Sequence, residues 1–322
     1  MRLRLFREVP KFDFFRVQKL TLSLSAIAMV LSIVSWVVIG LNFGIDFKGG
    51  TTIRTESSAS VDVGTYRQAL VPLELGDVTI TEVFDPSFGA DKNVAMIRIQ
   101  AQDDQEAVTP ETIAKVETAL KAVDPSITFP SVESVGPKVS GELIKTAIIA
   151  VAASLAAILF YIWLRFEWQF SVGAVAALAH DVVLTIGIFS VLQIRFDLAT
   201  IAALLTIIGY SINDTVVIFD RLRENLIKYK KTPLRDLMNL TVNETLSRTI
   251  MTSGTTLIAL IALLVLGGDV IRGFVFAITW GVIVGTYSSV YVAKNIVLLL
   301  GVKRDWSKPD NNQGNQFAKV DA

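Results

Sequence analysis

The chain has 322 residues, 52% of them hydrophobic, with 30 basic and 30 acidic side chains, one histidine and no cysteine. Its mean hydropathy is +0.53. Such a composition excludes an ordinary soluble domain, a global field for nucleic acid, disulfides, and thiolate metal or redox chemistry.

Residues 1–19 are basic, with Arg2, Arg4, Arg7, Lys11, Arg16 and Lys19 ahead of the apolar run 20–41. That run is longer than a signal-peptide core and no small-residue cleavage site follows it, so it reads as a retained anchor. Further apolar runs at 144–164, 170–192, 198–219, 249–266 and 274–300 fit the thickness of a hydrocarbon core. Six spans are therefore predicted. Arg221, Arg223, Lys228, Lys230, Lys231 and Arg235 follow the fourth, and Lys303, Arg304 and Lys308 follow the sixth. The turns near Arg195 and Arg272 are poor in Lys and Arg. The positive-inside rule places both termini in the cytoplasm and the segment after span one outside it. The expected units are a basic N-terminus (1–19), span one (20–43), an exported domain (44–142), spans two to six (143–300) and a polar, disordered tail (301–322).

The exported domain opens with GLNFGIDFKGGTT, where Gly49 and Gly50 supply the backbone freedom for a helix to turn into a strand. Asp46 is a candidate cap or anchor for that turn. The glycine spacing has a superficial likeness to a phosphate loop, but Gly50 stands where such a loop needs lysine. A strand is predicted at TTIRTE, then a helix at VDVGTYRQALVPL with Ser60 as its N-cap. Strands follow at DVTITEVF and NVAMIRIQ, separated by the turn-rich DPSFGADK. A second helix begins with Thr109 as cap and Pro110 as its first residue. ITFPSVESV closes the domain as a strand whose Pro130 indicates an edge or a bulge. The order β-α-β-β-α-β is that of the ferredoxin-like split unit. No histidine, cysteine or acid cluster in this domain has metal-ligand spacing, so it reads as a binding or mechanical module.

The predicted fold is thus an α-helical bundle of six transmembrane helices with one α+β domain inserted between the first two. Inside the spans, polar residues stand out. IGYSINDTVVIFDR carries Asn213 and Asp214 deep in the fourth span, and AALAHDVVLT carries His180 and Asp181 in the middle of the third. A carboxylate at such depth costs on the order of 3 kcal/mol and needs a partner or a task. Arg248 starts the fifth span, with Thr252 and Thr255 on its helical face and Thr249, Ser253 and Thr256 beside them. That hydroxyl-rich face is expected to point into the bundle. Depth matches Asp214 with Arg248, while His180 and Asp181 or another subunit are alternative partners. For His180 and Asp181, helix-packing hydrogen bonds and a proton path remain equally open, and their adjacent positions are expected to splay the side chains apart. Gly281 and Gly285 in GVIVG have the small-xxx-small spacing of close helix packing. Burial favours a neutral acid and a nearby guanidinium favours a carboxylate, so a site with both influences can switch.

LNFGIDFKGGT, SVGP, RFEW, AHD, IGYSINDTVVIFDRLREN and SRTIMTSGTT together resemble the SecD/SecF family of protein-export membrane proteins, within the resistance–nodulation–division superfamily. The resemblance extends from the first span through the sixth. It implies a multi-pass protein of the bacterial inner membrane, pairing with SecD and associating with the SecYEG channel and YajC. It also implies use of the proton motive force to draw unfolded preprotein out on the periplasmic side, with weight on the acid and base that match Asp214 and Arg248. No cofactor, metal or enzymatic activity is implied. Two other functions are to be weighed, a small-molecule or lipid transporter subunit and an intramembrane enzyme built on His180 and Asp181. The small exported domain counts against the first, and the lack of an activated nucleophile against the second.

Overall fold

The structure, a computed structural model, describes residues 9–84, 92–100 and 108–302. Helix α1 (Gln18–Val38) ends at a left-handed Gly40, φ 80°. A short strand β1 (Asn42–Phe43) and one turn of helix, α2 (Ile45–Lys48), lead to Gly49 and Gly50 at φ 75° and 132°. Both values lie where only glycine sits without strain. The α/β domain comprises β2 (Gly50–Ser57), α3 (Val63–Leu70), β3 (Val78–Val83), β4 (Asn93–Gln100), α4 (Pro110–Val123) and β5 (Thr128–Val135). The bundle continues with α5 (Pro137–Arg165), α6 (Trp168–Leu192), β6 (Arg195–Phe196), α7 (Leu198–Lys228), α8 (Leu234–Leu266) and α9 (Asp269–Ser288). A π-helical turn at Ser289–Ala293 joins α9 to α10 (Lys294–Leu300). Among the described residues, six helical segments are long and apolar enough to cross a membrane. The predicted tail beyond residue 302, the basic residues before 9 and most of the DPSFGADK turn lie outside the described residues.

Helices α7 and α8 run well past the apolar stretches at 198–219 and 249–266. Hydropathy stops early because their extensions pair through polar groups. Asn225 donates to Thr241 Oγ1 at 3.0 Å and to Glu244 at 2.7 Å, and Arg221 Nε donates to Glu244 at 2.8 Å.

In the α/β domain the four strands lie antiparallel in the order β3-β4-β2-β5. Ile53, Ile80, Ile97 and Ile99 form the sheet's buried face, covered by Leu70 of α3 and by Val116 and Leu120 of α4. Thr109 caps α4 ahead of Pro110 as expected. The cap of α3 is not Ser60 but Asp62, because the helix starts at Val63. The Asp62 carboxylate accepts from the Gly64 and Thr65 N–H groups at 2.8 and 3.2 Å. Strand β5 is an edge, and its register slips between Arg54 and Glu56 across the Phe129–Pro130 step, so Pro130 marks both an edge and a bulge.

Asp124 ties this core together at its rim, accepting from Ser57 Oγ and, at 2.7 and 2.8 Å, from the Ser126 hydroxyl and N–H. These donors, the Ser57 hydroxyl foremost, hold its carboxyl below the ordinary carboxylate range. The stabilisation is therefore complete above the unfolded pKa of about 3.9 and lost as pH falls through the lower folded value. Asp124→Asn is expected to remove this part of the acid dependence, read by hydrogen exchange of β2 and β5 during acid titration.

Helices α7 and α9 run parallel at a constant offset. Gly281 lies against Ile207, Gly285 against Ser211, and the Ser289 hydroxyl bonds that of Thr215 at 2.8 Å. A Cβ on Gly285 would stand 2.9 Å from Ser211, and one on Gly281 would overlap the Ile207 side chain. The small residues thus set the helix separation. Gly281→Ala is expected to lower stability by about 1–3 kcal/mol through overpacking. Ile207→Val in the same chain should recover part of the loss in a thermal unfolding measurement.

The domain is seated on the bundle at several points. Parallel β1 and β6 pair, with the Gly44 N–H donating to Phe196 O at 2.8 Å. Asp46 anchors α7 rather than its own turn, accepting from the Leu198 N–H at 3.0 Å. Phe84 and Asp269 exchange two bonds, Phe84 N–H to Asp269 Oδ2 at 2.7 Å and Asp269 N–H to Phe84 O at 2.9 Å.

Candidate functional site

Three helices converge on the Asp181 side chain, which is 1% exposed. Its Oδ2 accepts from Ser211 Oγ of α7 at 2.7 Å and from Ser288 Oγ of α9 at 2.8 Å. Its Oδ1 lies 3.0 Å from His180 Nδ1. Adjacent helical positions diverge at Cβ, yet here the imidazole folds back onto the short carboxylate, so the expected splaying does not occur. Tyr287 stacks on the imidazole with ring centroids 6.2 Å apart. The Tyr287 hydroxyl in turn donates to Thr21 O at 2.8 Å and shares a bond with Ser25 at 2.9 Å, extending the network to α1. Gly285 leaves the space in which Ser211 and Asp181 meet. The three-helix junction is therefore held by one acid with a full set of donors, the condition for burying it at tolerable cost.

Asp214 is different. It is 4% exposed, and its buried Oδ2 has no hydrogen-bond partner. Three groups of α8 face it, Arg248, Ser253 and Thr252. Ser253 and Thr252 turn their hydroxyls toward this carboxyl and Arg248 adds its charge, yet they leave Oδ2 without a partner. Ser253 shares its hydrogen bond with Thr286 at 2.7 Å, and Thr252 donates back to the carbonyls of Arg248 and Thr249. Tyr210 meets Thr256 and Asn225 meets Thr241, so α7 and α8 run antiparallel with Asp214 level with Thr252. Arg248 is then one helical turn, about 5 Å, nearer the end of the bundle away from the α/β domain. It is exposed and forms no ion pair with Asp214.

The hydroxyl face of α8 is also rotated from expectation. Thr249 and Ser253 are buried in the bundle, whereas Arg248 and Thr255 are exposed and Thr252 is half-buried. Asn213 on α7 is exposed as well. The buried set is the one that finds partners on α9, through Ser253 and Thr286. The other set lies at the outer surface of the chain beside Asp214.

One buried charge escaped the sequence reading. Lys294 is 1% exposed, and its Nζ has no hydrogen-bond acceptor. It sits 3.9 Å from the Phe15 ring centroid, 5.2 Å from that of Phe14 and 5.5 Å from that of Tyr291. Cation–π attraction of about 2 kcal/mol or more per desolvated ring compensates part of the cost. The two phenylalanine rings come from an N-terminal strap pinned to α8, where Asn243 and Asn239 bracket the Phe12 backbone and Asn239 also accepts from the Phe14 N–H. The lysine inside YVAKNIVLLL was the available signal, but Phe14 and Phe15, the nearest of its aromatic partners, lie far away in sequence.

Comparison with known proteins gives a consistent picture. Residues 115–303 match the family described as "Protein export membrane protein SecD/SecF, C-terminal", and residues 34–61 match the "SecD/SecF GG Motif". The chain is 68% identical to the protein translocase subunit SecF of Cereibacter sphaeroides, covering 100% of this chain and 99% of the relative. It is 65% identical to the corresponding subunit of Rhodobacter capsulatus, covering 96% and 95%. The crystal structure of the translocon-associated membrane protein SecDF from Thermus thermophilus superposes with a TM-score of 0.80 at 36% identity. That match covers 92% of this chain and 39% of the SecDF chain, so the chain spans about two fifths of it.

Replacing the junction acid tests its structural weight. Asp181→Ala strands the Ser211 and Ser288 hydroxyls and is expected to cost about 2–5 kcal/mol. Asp181→Asn, which keeps one acceptor oxygen, should cost less. Unfolding of the detergent-solubilised chain in graded dodecyl sulfate would rank the two.

Proposed function

The chain belongs to the SecD/SecF family of protein-export membrane proteins, and on that premise we propose that it is a subunit of the Sec protein translocase that couples proton movement at Asp214 to preprotein export. It works with SecD at the SecYEG channel, with YajC as a further associate, and completes passage of unfolded preprotein across the inner membrane. Its contribution is mechanical coupling and not bond chemistry.

One observation carries this reading, the buried Asp214 oxygen with no hydrogen-bond partner. Asp181, equally buried, has its acceptor capacity filled. A carboxyl held by donors on both oxygens is fixed in place by them, whereas one facing an incomplete set can gain and lose a proton as its surroundings shift. The exposed Asn213, Arg248 and Thr255, with the half-buried Thr252, form a polar strip beside it unsuited to lipid. SecD covers this strip in the assembled pair, so the proton site lies at the boundary between the two halves. The crystallised SecDF chain, of which this chain matches two fifths, supports such an arrangement. Each proton crossing the membrane potential releases about 2.3 kcal/mol per 100 mV.

The α/β domain of residues 44–142 is ferredoxin-like in its strand order and lies in the periplasm, with both termini cytoplasmic. The basic flanks after α7 and before α1 support this orientation. Asp46, Gly49 and Gly50 form the joint between the domain and the bundle, since the first holds the start of α7 and the glycines set the strand direction. A proton-driven tilt of α7 would be passed through this joint to the domain that meets the preprotein.

Preprotein release from inverted membrane vesicles, with and without a proton gradient, tests the coupling. Asp214→Asn in assembled SecD complexes is expected to abolish the gradient-dependent increment and to spare the gradient-independent part. A full increment in the variant would remove Asp214 from the mechanism.

A further inference from the structure

A crevice of about 450 Å³ separates the α/β sheet from the adjoining end of the bundle. Its floor is apolar, built from Leu264 of α8 with Phe274 and Phe276 of α9. The floor continues onto an outward apolar surface, for Val265 and Leu266 are 72% and 71% exposed. The walls carry three guanidinium groups from three elements, Arg98 of β4, Arg195 of β6 and Arg272 of α9.

Acids line the crevice too, but they are engaged. Asp197 accepts from Arg195 and from the Thr200 N–H, each at 3.0 Å, and so caps α7. Asp269 accepts from Arg272 and from the Phe84 N–H. Glu82 is registered with Ala95, on the opposite side of the sheet from Arg98, which is registered with Thr79. Arg98 therefore has no ion pair, and its buried Nε has no acceptor.

Arg98 also faces Arg195 across the boundary between domain and bundle. Burial first, and the Arg195 charge second, push the Arg98 guanidinium down to about 10, against a smaller opposing attraction from Asp197, which is already bonded to Arg195. Two opposed guanidinium groups over an apolar floor match an amphiphile with several anionic oxygens and a hydrocarbon tail. The floor opens toward the exposed apolar side of α8, which faces hydrocarbon in a bilayer, so the ligand is supplied by the membrane. We propose that this crevice binds a phospholipid of the adjacent leaflet, its phosphate bridging Arg98 and Arg195 and an acyl chain lying over Leu264, Phe274 and Phe276. The bound phosphate replaces repulsion between domain and bundle with two charge-assisted bridges, so the lipid holds the domain in its seated position. This site is separate from Asp214, and its occupancy does not depend on proton coupling.

Nanodiscs carrying the full chain and a phosphatidylglycerol with a photoactivatable acyl chain provide the test. Wild type is expected to be labelled on the peptides around Leu264 and Phe274. Arg98→Gln should reduce that labelling about tenfold, the loss expected for one hydrogen bond to a charged group, and Arg98→Lys should retain part of it. A matched thermal unfolding curve for each variant separates lost binding from lost folding, and Arg195→Gln provides an independent reduction. Unchanged labelling in Arg98→Gln and Arg195→Gln would overturn the proposal. So would equal labelling by a phosphate-free diacylglycerol probe, or displacement of the lipid probe by excess inorganic phosphate, which would assign the site to a free anion.

Discussion

The Asp181 carboxylate joins α6, α7 and α9 within one hydrogen-bond shell, and the geometry around it follows from that junction. Ser211 and Ser288 reach the same oxygen only because α7 and α9 lie close and parallel, and they lie close because Gly281 and Gly285 present no side chain. In hydrocarbon there is no hydrophobic force to press helices together, so contact relies on close packing and on polar bonds that would otherwise go unmet. Here the glycines supply the first and the acid the second. The π-helical turn at Ser289–Ala293 follows immediately, where Ser289 bonds both Thr215 and the Gly285 carbonyl. Irregular turns of this kind recur at functional positions in helices.

A rigid junction on one side of α7 gives meaning to the unsatisfied acid three positions beyond Ser211. Ser211 fixes α7 toward α6 and α9, while Asp214 points toward α8 and the open polar strip. The same helix is thus clamped on one face and left incomplete on another. In the proposed coupling, a change in charge at Asp214 would act on a helix whose pivot is already defined. The far end of α7 begins at Asp197 and Leu198, held by Asp46 of the glycine joint and by β6 pairing with β1. That end meets the α/β domain's entry segment through short, directional bonds and aromatic contacts among Phe43, Phe47 and Phe196, the route a movement of α7 would take.

Much of this was legible in the sequence because hydropathy and local turn chemistry are properties of consecutive residues. The six apolar helices, Thr109 with Pro110, the positive-φ pair Gly49–Gly50 and the edge position of Pro130 all rest on local signals. Ser60 misled because Ser60 and Asp62 both qualify as caps and only the helix start decides between them. The helix extensions in α7 and α8 were missed because their stability comes from each other. Within the site, depth alone identified Asp214, but the rotation of α8 that buries Thr249 and Ser253 while exposing Arg248 is set by α9 and has no periodic signature. Lys294 was hidden for the same reason. Its compensation comes from Phe14 and Phe15, which reach it only because Asn239 and Asn243 tie the N-terminal strap to α8.

Buried charge in this chain thus falls into kinds with different physical consequences. Asp181 is enclosed by donors and acts as a fastener. Lys294 is enclosed by rings, which attract a cation without binding its protons in a fixed direction, so it holds the strap by a softer and more radial force. Asp214 and Arg98 are each short of a partner, one beside the outer strip of α8 and the other beneath the sheet. An unpaired polar group in a closed site costs free energy that the chain alone does not recover. Both shortages lie at boundaries, one at the outer strip of α8 and one between the sheet and the bundle. On the proposed reading these two places would be completed from outside, whereas Asp181 and Lys294 are completed from within, which separates the parts of the molecule that hold shape from those that would exchange partners during work.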